Sequence, residues 1–333
     1  MKKKVALALQ GGGAHGAFTW GILEKLYEED IFDIRGICGT SAGAMNAAIA
    51  IHGYQKGGSE GAVELLEKFW KRVSQYATLS SMMPEWMYNS MNPDAEYSPS
   101  FQMFNAVTSM YSPYDFNPFD INPLANTLND LINFEVLRTS ECKLFACATN
   151  VMTGKPKIFE TKEITAQMLM ASACLPALYK AVEIDGQHYW DGGYCGNPSI
   201  YPLIDDTDSD DILLIKVNPF TINKLPTGVK EIQDRINEIS FNSSLLAEMR
   251  MIVFKDRILN MGYDIRGKLR KINFHEISAD SEMEKHSFVS KFNASWRFLN
   301  DLRMKGRATA TQWIETNYDM VGEKSSLNMR DYL

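Results

Sequence analysis

The first 51 residues alternate apolar runs, glycine-rich turns and helix-like segments, and this order constrains the fold more than any other feature of the sequence. Residues 5–9 are a short apolar run, and residues 34–38 form a second, mostly apolar segment that includes Arg35. Residues 17–29 repeat apolar side chains at helical spacing, and residues 44–51 are mostly small and apolar, as in a buried helix. Strands that alternate with helices predict an α/β fold with a parallel sheet.

Size and composition are typical of a globular protein with a large core. The chain has 333 residues, of which 45% are hydrophobic and 23% are charged, so it can bury a large core without disulfide or metal support. Its formal net charge is −7. Nucleic-acid binding needs a clustered excess of lysine and arginine, so the charge argues against a nucleic-acid partner.

Cysteine usage and the lack of export signals indicate the compartment. The five cysteines include no C-x-x-C pair, which argues against a disulfide framework or a zinc ribbon. The N-terminal apolar run has five residues, fewer than the ~7–15 of an export signal. No run approaches the ~18 apolar residues of a transmembrane helix. We therefore expect a cytoplasmic protein whose contact with membranes is at most peripheral and transient.

The strongest candidate for chemistry is a serine between two glycines, Gly39-x-Ser41-x-Gly43, in the segment that we call the serine turn (residues 39–43). It follows a predicted strand and precedes a predicted helix. A sharp strand-to-helix turn exposes a serine hydroxyl, and the flanking glycines allow the strained backbone. The N-terminal amides of the helix favour negative charge beside the serine. Ser41 is therefore a candidate nucleophile.

A glycine loop (residues 11–16) follows the first predicted strand and has two interpretations. Gly11-x-Gly13-x-x-Gly16 fits a dinucleotide-binding fingerprint. That fingerprint also needs an acidic residue at the end of the next strand, where this chain has the serine turn instead. The alternative is an oxyanion hole, in which the N–H groups of Gly11, Gly12 and Gly13 bind the oxygen of a tetrahedral intermediate. We favour the oxyanion hole because the serine turn lies directly downstream.

A nucleophilic serine needs a base, and the histidines do not supply an evident one. His275 and His286 occur late in the chain, where a hydrolase histidine is common, but their surroundings are typical of surface sequence. His15 lies in the glycine loop, where a polar residue at a helix start is the simpler explanation. The sequence Asp191-Gly192-Gly193 is more suggestive, because it places a carboxylate on a tight turn that can approach another loop closely, although an ordinary turn also explains these residues.

Together these motifs resemble the patatin-like phospholipase family over residues 7–202, interrupted by a methionine-rich insert. The motifs occur in the family's order: Gly11-Gly12-Gly13-Ala14-His15-Gly16, Gly39-Thr40-Ser41-Ala42-Gly43, Ala171-Ser172-Ala173-Cys174-Leu175-Pro176-Ala177, Asp191-Gly192-Gly193 and Asn197-Pro198-Ser199. The resemblance implies a three-layer α/β/α fold with a central, mostly parallel sheet and a nucleophile elbow. One departure is His15, where the family commonly has arginine or lysine.

The same resemblance implies the roles of the site residues. Ser41 would be the nucleophile, Asp191 its base in a Ser–Asp dyad, and residues 11–13 the oxyanion loop. The remaining motif glycines are listed here: Gly16, Gly39, Gly43, Gly192 and Gly193. No metal and no organic cofactor is implied. The substrate would be a lipid or another acyl ester, and the sequence leaves the oligomeric state open.

Outside the motifs, we expect one domain over residues 1–333 with two less regular parts. Residues 76–137 form an insert rich in methionine and aromatic residues, which is either a subdomain with its own core or a cap over an apolar site. Residues 73–137 contain no lysine, arginine or histidine and seven acidic residues, which equals the whole net charge. Residues 229–333 are predicted to be helical, with one helix over 288–314. The acidic run 205–211 is predicted to be a solvated loop.

The favoured function is therefore a serine acyl-ester hydrolase that acts on lipid-like substrates. Two alternatives come from other classes. A catalytically silent binding or regulatory protein could retain this fold, although the glycine loop, the serine turn and the Asp-Gly-Gly turn are all intact. A dinucleotide-binding oxidoreductase would explain the glycine loop but would leave the serine turn and the Asp-Gly-Gly turn unexplained.

Overall fold

An eight-stranded mixed sheet lies at the centre of the fold. The computed structural model describes residues 2–79, 112–116, 122–262, 270–283, 286 and 288–332. The strands are β1 (Lys3–Leu9), β2 (Phe32–Thr40), β3 (Lys143–Asn150), β4 (Pro156–Glu160), β5 (Val182–Ile184), β6 (Gln187–Asp191), β7 (Asp211–Lys216) and β8 (Asn273–Ser278).

Helices connect these strands in the described parts of the chain. They are α1 (Gly16–Glu29), α2 (Ala42–Leu79), α3 (Pro113–Phe116), α4 (Pro123–Leu131), α5 (Phe134–Leu137), α6 (Ala166–Ser172), α7 (Tyr201–Asp206), α8 (Val229–Asn260), α9 (Asp280–Met283) and α10 (Trp296–Asn317).

The strand order is β5-β6-β3-β2-β1-β7-β8, and β4 also pairs with β3. Four parallel pairings join β8, β7, β1, β2 and β3, whereas β4, β5 and β6 pair antiparallel. The prediction of a mostly parallel central sheet is therefore confirmed. Because parallel strands end at the same edge, the loops after β1, β2 and β7 lie side by side.

The two faces of the sheet carry separate cores, as the alternation of side chains along β1 illustrates. Leu7 and Leu9 pack on the face covered by α1, α2 and α10, whereas Ala6 and Ala8 pack on the face covered by α7 and α8. The helices therefore form layers on both faces. This is the three-layer α/β/α arrangement that the sequence predicts.

The C-terminal helix α10 packs closely on α1 through glycines. A Cβ on Gly306 would overlap the carbonyl oxygen of Phe18, and one on Gly21 would overlap the carbonyl oxygen of Arg303. The buried carboxylate of Glu24 on α1 accepts a hydrogen bond from Arg303 Nε at 2.7 Å and pairs with Arg307 at 2.9 Å. The last third of the chain is thus fixed to the first helix of the fold.

The C-terminal part departs from the prediction that residues 229–333 are helical, because β8 extends the sheet at its edge. His275 lies in β8 and is fully buried, so its assignment to ordinary surface sequence is wrong. Strand β8 was missed because it occurs in a region that is otherwise helical. The predicted helix over 288–314 is also interrupted, because a 3-10 segment, Phe288–Phe292, ends before α10 begins.

The acidic run 205–211 is not solvated throughout. Asp211 is buried at the start of β7, where its carboxylate accepts a hydrogen bond from Gly322 N at 2.8 Å and lies 2.9 Å from His275 Nε2. These partners lower the pKa of Asp211 against the opposing effect of burial. The charge is tolerated there because it is paired, and both partners lie far away in the sequence.

The helix predicted over residues 44–51 is the first part of one long helical stretch, α2, which has a kink. Gly57 and Gly58 have non-helical backbone angles at the kink, and Gly58 lies in the left-handed region with φ of 61°. Most of the insert predicted over residues 76–137 lies outside the described residues, so its interpretation as a cap or a subdomain stays a prediction. Its described part includes α4, which packs on α2.

Candidate active site

Ser41 occupies the turn between β2 and α2, and its backbone is in the left-handed region with φ of 54°. Such a conformation is strained for a residue with a Cβ and is held by its surroundings. A Cβ on Gly39 would lie 2.6 Å from Ala44 N, and one on Gly43 would overlap the carbonyl oxygen of Leu9. Both glycines of the serine turn are therefore required by close backbone packing.

Ser172, at the end of α6, supports the serine turn from the side. Its hydroxyl, which is fully buried, accepts a hydrogen bond from Ser41 N at 2.9 Å. The backbone amide of Ser41 is thus engaged, whereas its side chain lines a cavity. The sequence analysis included Ser172 only as part of a family motif and assigned no function to it.

Asp191 ends β6, lines the same cavity and is 1% exposed. Its Oδ1 accepts a hydrogen bond from Gly193 N at 2.7 Å. Burial raises the pKa of Asp191 to about 7, although hydrogen bonds from Gly193 N–H and the Ser41 hydroxyl and the positive charge of Lys291 favour the ionised form. The structure therefore brings Ser41 and Asp191 together, 150 residues apart in the sequence.

The two glycines after Asp191 are required because neighbouring residues leave no room for a Cβ at either position. A Cβ on Gly192 would overlap the carbonyl oxygen of Cys147 in β3, and one on Gly193 would overlap the ring of Phe241 on α8. The Asp-Gly-Gly turn can therefore lie against both the sheet and α8 only because these side chains are absent. Gly16 plays the same role in the glycine loop, where a Cβ would lie 2.7 Å from the Cβ of Ala42.

Side-chain amides hold the glycine loop from both sides. Gly11 N donates a hydrogen bond to Asn197 Oδ1 at 2.7 Å, and Gly11 O accepts one from Asn218 Nδ2 at 2.7 Å. The prediction that the Gly11 N–H binds an oxyanion therefore needs correction, because this N–H already has a partner. Gly12 and Gly13 remain the candidate donors, and Gly13 adopts the left-handed φ of 58°.

The amide residues around the loop were not identified from the sequence. Gln10 Oε1 accepts hydrogen bonds from Val217 N at 3.0 Å and Asn218 N at 2.9 Å, which ties the end of β1 to the end of β7. Asn197 lies in a family motif, but no sequence pattern indicated a function for Gln10 or Asn218. Their function depends on the parallel pairing of β1 with β7, which a single sequence does not reveal.

The cavity lined by Ser41 and Asp191 has a volume of about 280 Å³ and a mainly apolar lining. The apolar side chains come from α2, α4, α6 and α8 and from the segments after α6 and before α10: Met45, Phe69, Trp70, Val73, Leu124, Met170, Leu175, Phe241 and Phe292. A pocket with a long apolar lining and a few polar groups suits a hydrophobic chain with one reactive group.

None of the five histidines lines this cavity. His15 is buried and turned toward Ser290, whose Oγ lies 2.6 Å from His15 Nε2. Burial lowers the pKa of His15 well below its usual value, and the nearby Lys291 and His286 add to this effect. His15 is therefore neutral at physiological pH and adds no charge to the glycine loop.

The described residues contain no cluster of three or more histidine, cysteine, aspartate or glutamate side chains with the geometry to hold a metal ion. Within the same residues, no helix combines the length and the hydrophobicity needed to span a membrane.

Comparisons with known proteins agree with the motifs. A family model described as Patatin-like phospholipase matches residues 7–204. A curated relative, the cGAMP-activated phospholipase of Vibrio cholerae serotype O1, is 24% identical over 351 aligned positions, which cover 93% of this chain and 91% of the relative.

Two solved structures are also similar. VipD from Legionella pneumophila has a TM-score of 0.41 and 14% identity, with 100% of this chain and 79% of VipD covered. Full-length ExoU from Pseudomonas aeruginosa, solved in complex with SpcU, has a TM-score of 0.31 and 14% identity, with 92% of this chain and 53% of ExoU covered. Because the family model spans more than half of the residues, the chain belongs to the patatin-like phospholipase family and is an ester hydrolase that acts on lipids.

Proposed function

We propose that the chain hydrolyses lipid acyl esters with a Ser41–Asp191 dyad and without a catalytic histidine. The observation that supports this most directly is the contact between the Ser41 hydroxyl and the buried Asp191 carboxylate at one apolar cavity. A carboxylate whose pKa is about 7 is a far better base than an ordinary aspartate, whose pKa is ~3.9. Family membership excludes the oxidoreductase alternative.

In this mechanism Ser41 Oγ attacks the ester carbonyl carbon while Asp191 accepts the hydroxyl proton. The negative charge that forms on the carbonyl oxygen is stabilised by the N–H groups of Gly12 and Gly13. When the C–O bond to the leaving alcohol breaks, Asp191 returns the proton to that oxygen. Water then attacks the acyl-enzyme with Asp191 again as the base, which releases the fatty acid and regenerates Ser41.

Substitutions at the two residues test the dyad. Ser41→Ala is expected to abolish labelling by a fluorophosphonate probe and to reduce lipid hydrolysis to background. Asp191→Asn retains an acceptor for Gly193 N–H but removes the base, so we expect turnover to fall on the order of 10²–10⁴-fold. Ser209→Ala, at a buried serine that does not line the cavity, is the matched control and should retain labelling.

Labelling of the wild type that persists in Ser41→Ala would contradict the assignment of the nucleophile. A folded wild type that neither labels nor hydrolyses any lipid ester would instead favour the catalytically silent alternative. Circular dichroism of each variant separates loss of activity from loss of fold.

The raised pKa of Asp191 predicts the pH dependence of hydrolysis. Only the ionised carboxylate can accept the Ser41 proton, so kcat/KM should rise with pH and reach half of its maximum near pH 7, the value of the Asp191 pKa. The measurement is kcat/KM for a soluble ester between about pH 5 and pH 9. An unshifted aspartate, with its pKa of ~3.9, would give a flat profile over this range, and that result would contradict a buried base.

We further propose that helix α8 contacts the surface of lipid aggregates. Four aliphatic side chains at helical spacing form an exposed apolar stripe, defined as Val229, Ile232, Ile236 and Ile239, with exposures of 77%, 42%, 59% and 54%. A contiguous exposed apolar patch of this kind is typical of an interaction surface. The same helix also reaches the cavity, because Asn237 and Phe241 line it from another face of α8.

Vesicle sedimentation tests this surface. The double variant Ile236→Glu, Ile239→Glu places two charges on the stripe, and we expect its binding to phosphatidylcholine vesicles to weaken on the order of tenfold or more. Hydrolysis of vesicle lipid should fall relative to hydrolysis of a soluble short-chain ester. Met304→Glu, at a residue of α10 that is 54% exposed, is the matched control. Unchanged vesicle binding would contradict the proposal.

We also propose that a nucleotide activates hydrolysis by this chain, and one observation supports this proposal. The alignment with the cGAMP-activated phospholipase covers 93% of this chain, so it continues far beyond residue 204, where the family model ends. Similarity that includes the C-terminal third favours a shared mode of regulation and not only a shared hydrolase core. The net charge of −7 argues against a nucleic-acid polymer but not against one small nucleotide.

The test is hydrolysis of one phospholipid with and without cGAMP. If the chain is activated in this way, we expect a rate increase of about 5–150-fold, the usual range of allosteric coupling. AMP and GMP added together are the control. A rate that does not change at saturating substrate and at millimolar cGAMP would contradict activation, and it would leave the dyad unaffected.

A further inference from the structure

The cavity contains one positively charged side chain among its described lining residues, that of Lys291. The only other ionisable group with a charge at physiological pH in that lining is Asp191. Lys291 belongs to the 3-10 segment Phe288–Phe292, which lies outside every motif recognised in the sequence. A cation beside the reactive ester position is therefore supplied by the C-terminal part of the fold.

The backbone of Lys291 lies directly against the glycine loop. A Cβ on Gly13 would overlap the carbonyl oxygen of Lys291, so the loop and the 3-10 segment are in contact. Lys291 Nζ donates a hydrogen bond to Asn218 Oδ1 at 2.8 Å, and Asn218 in turn donates to Gly11 O. The position of the ammonium group is thus fixed relative to the candidate oxyanion donors.

The glycine loop itself provides no positive charge. His15 is its only ionisable residue, and it is buried, neutral and turned toward Ser290. The charge of Lys291 is itself one cause of the low pKa of His15. Any anionic group of a substrate near the loop would therefore meet Lys291 as its cationic partner.

Burial lowers the pKa of Lys291, and the carboxylates of Glu238, Asp234 and Asp191 oppose this effect. A desolvated ammonium group in an apolar cavity is costly, and an anion that enters the cavity reduces this cost. A phospholipid carries a phosphate a few bonds from its acyl ester. A lysine pairs with phosphate through charge-assisted hydrogen bonds.

We propose that Lys291 binds the phosphate of a phospholipid substrate and thereby selects lipids whose anionic phosphate lies close to the scissile ester. The proposal rests on the proposed function, in which that ester is held between Ser41 and the glycine loop. Lys291, a residue of the C-terminal part, then determines specificity. A hydrolase without this cation would accept any acyl ester.

The test compares a phospholipid with a diacylglycerol of the same acyl chains, both in neutral detergent micelles at about pH 7.5. Alkaline solution is avoided because burial lowers the pKa of Lys291, whereas partial protonation of Asp191 slows hydrolysis of both lipids alike. For Lys291→Met, we expect kcat/KM on the phospholipid to fall about 10–100-fold, mainly through KM, because a hydrogen bond to a charged group is lost. The value for diacylglycerol should change less than about threefold. Lys291→Arg should retain most of the preference for phospholipid.

The matched control is Lys162→Met, which removes an exposed lysine that does not line the cavity. An equal loss on both lipids would overturn the proposal, because Lys291 would then serve the glycine loop or the oxyanion and not the phosphate. No loss on either lipid would also overturn it. Residual hydrolysis by Ser41→Ala would instead show that the dyad proposal had failed.

A measurement on the wild type covers the case in which Lys291→Met does not fold. Glycerol 3-phosphate should inhibit hydrolysis of diacylglycerol competitively, whereas glycerol at the same concentration should not. Absence of inhibition at concentrations up to about 0.1 M, at low ionic strength, would contradict a phosphate site in the cavity.

Discussion

The contact between two backbone turns, the glycine loop after β1 and the serine turn after β2, is the constraint on which the rest of the site depends. Parallel pairing of the two strands brings Leu9 opposite Gly39. At this distance a Cβ on Gly11 would lie 2.6 Å from the carbonyl oxygen of Thr40, and a Cβ on Gly43 would overlap that of Leu9. Glycine is therefore required on both sides, and the loop N–H groups lie beside Ser41.

Burial of Asp191 illustrates how the fold adjusts a functional group. The carboxylate would be a weak base in water, but the α/β/α layers exclude solvent around it. The hydrogen bonds from Gly193 N–H and Ser41 moderate the effect, so its pKa is about 7 and not much higher. The balance of desolvation against a few hydrogen bonds places the titration of Asp191 near neutral pH.

Prediction from the sequence was most successful where the physical cause is local. The glycines of the glycine loop, the serine turn and the Asp-Gly-Gly turn were predicted, as was the strand before Ser41, because turn geometry and hydrophobic runs are encoded in a few neighbouring residues. Prediction from the sequence failed where a residue interacts with a partner that is distant in the sequence. His275 was assigned to the surface because nothing near it in the sequence indicates β8 or its buried partner Asp211.

The sequence by itself determined the fold class, the family and the identity of Ser41 and Asp191 as candidates, because these follow from short motifs in a fixed order. Only the tertiary structure decided which groups surround them. Asn197 engages the Gly11 N–H, Ser172 holds the Ser41 amide, and Lys291 brings a basic side chain to the cavity beside the glycine loop. Each of these contacts joins residues more than 100 positions apart, and their proximity depends on how the strands and helices pack, which no local pattern specifies.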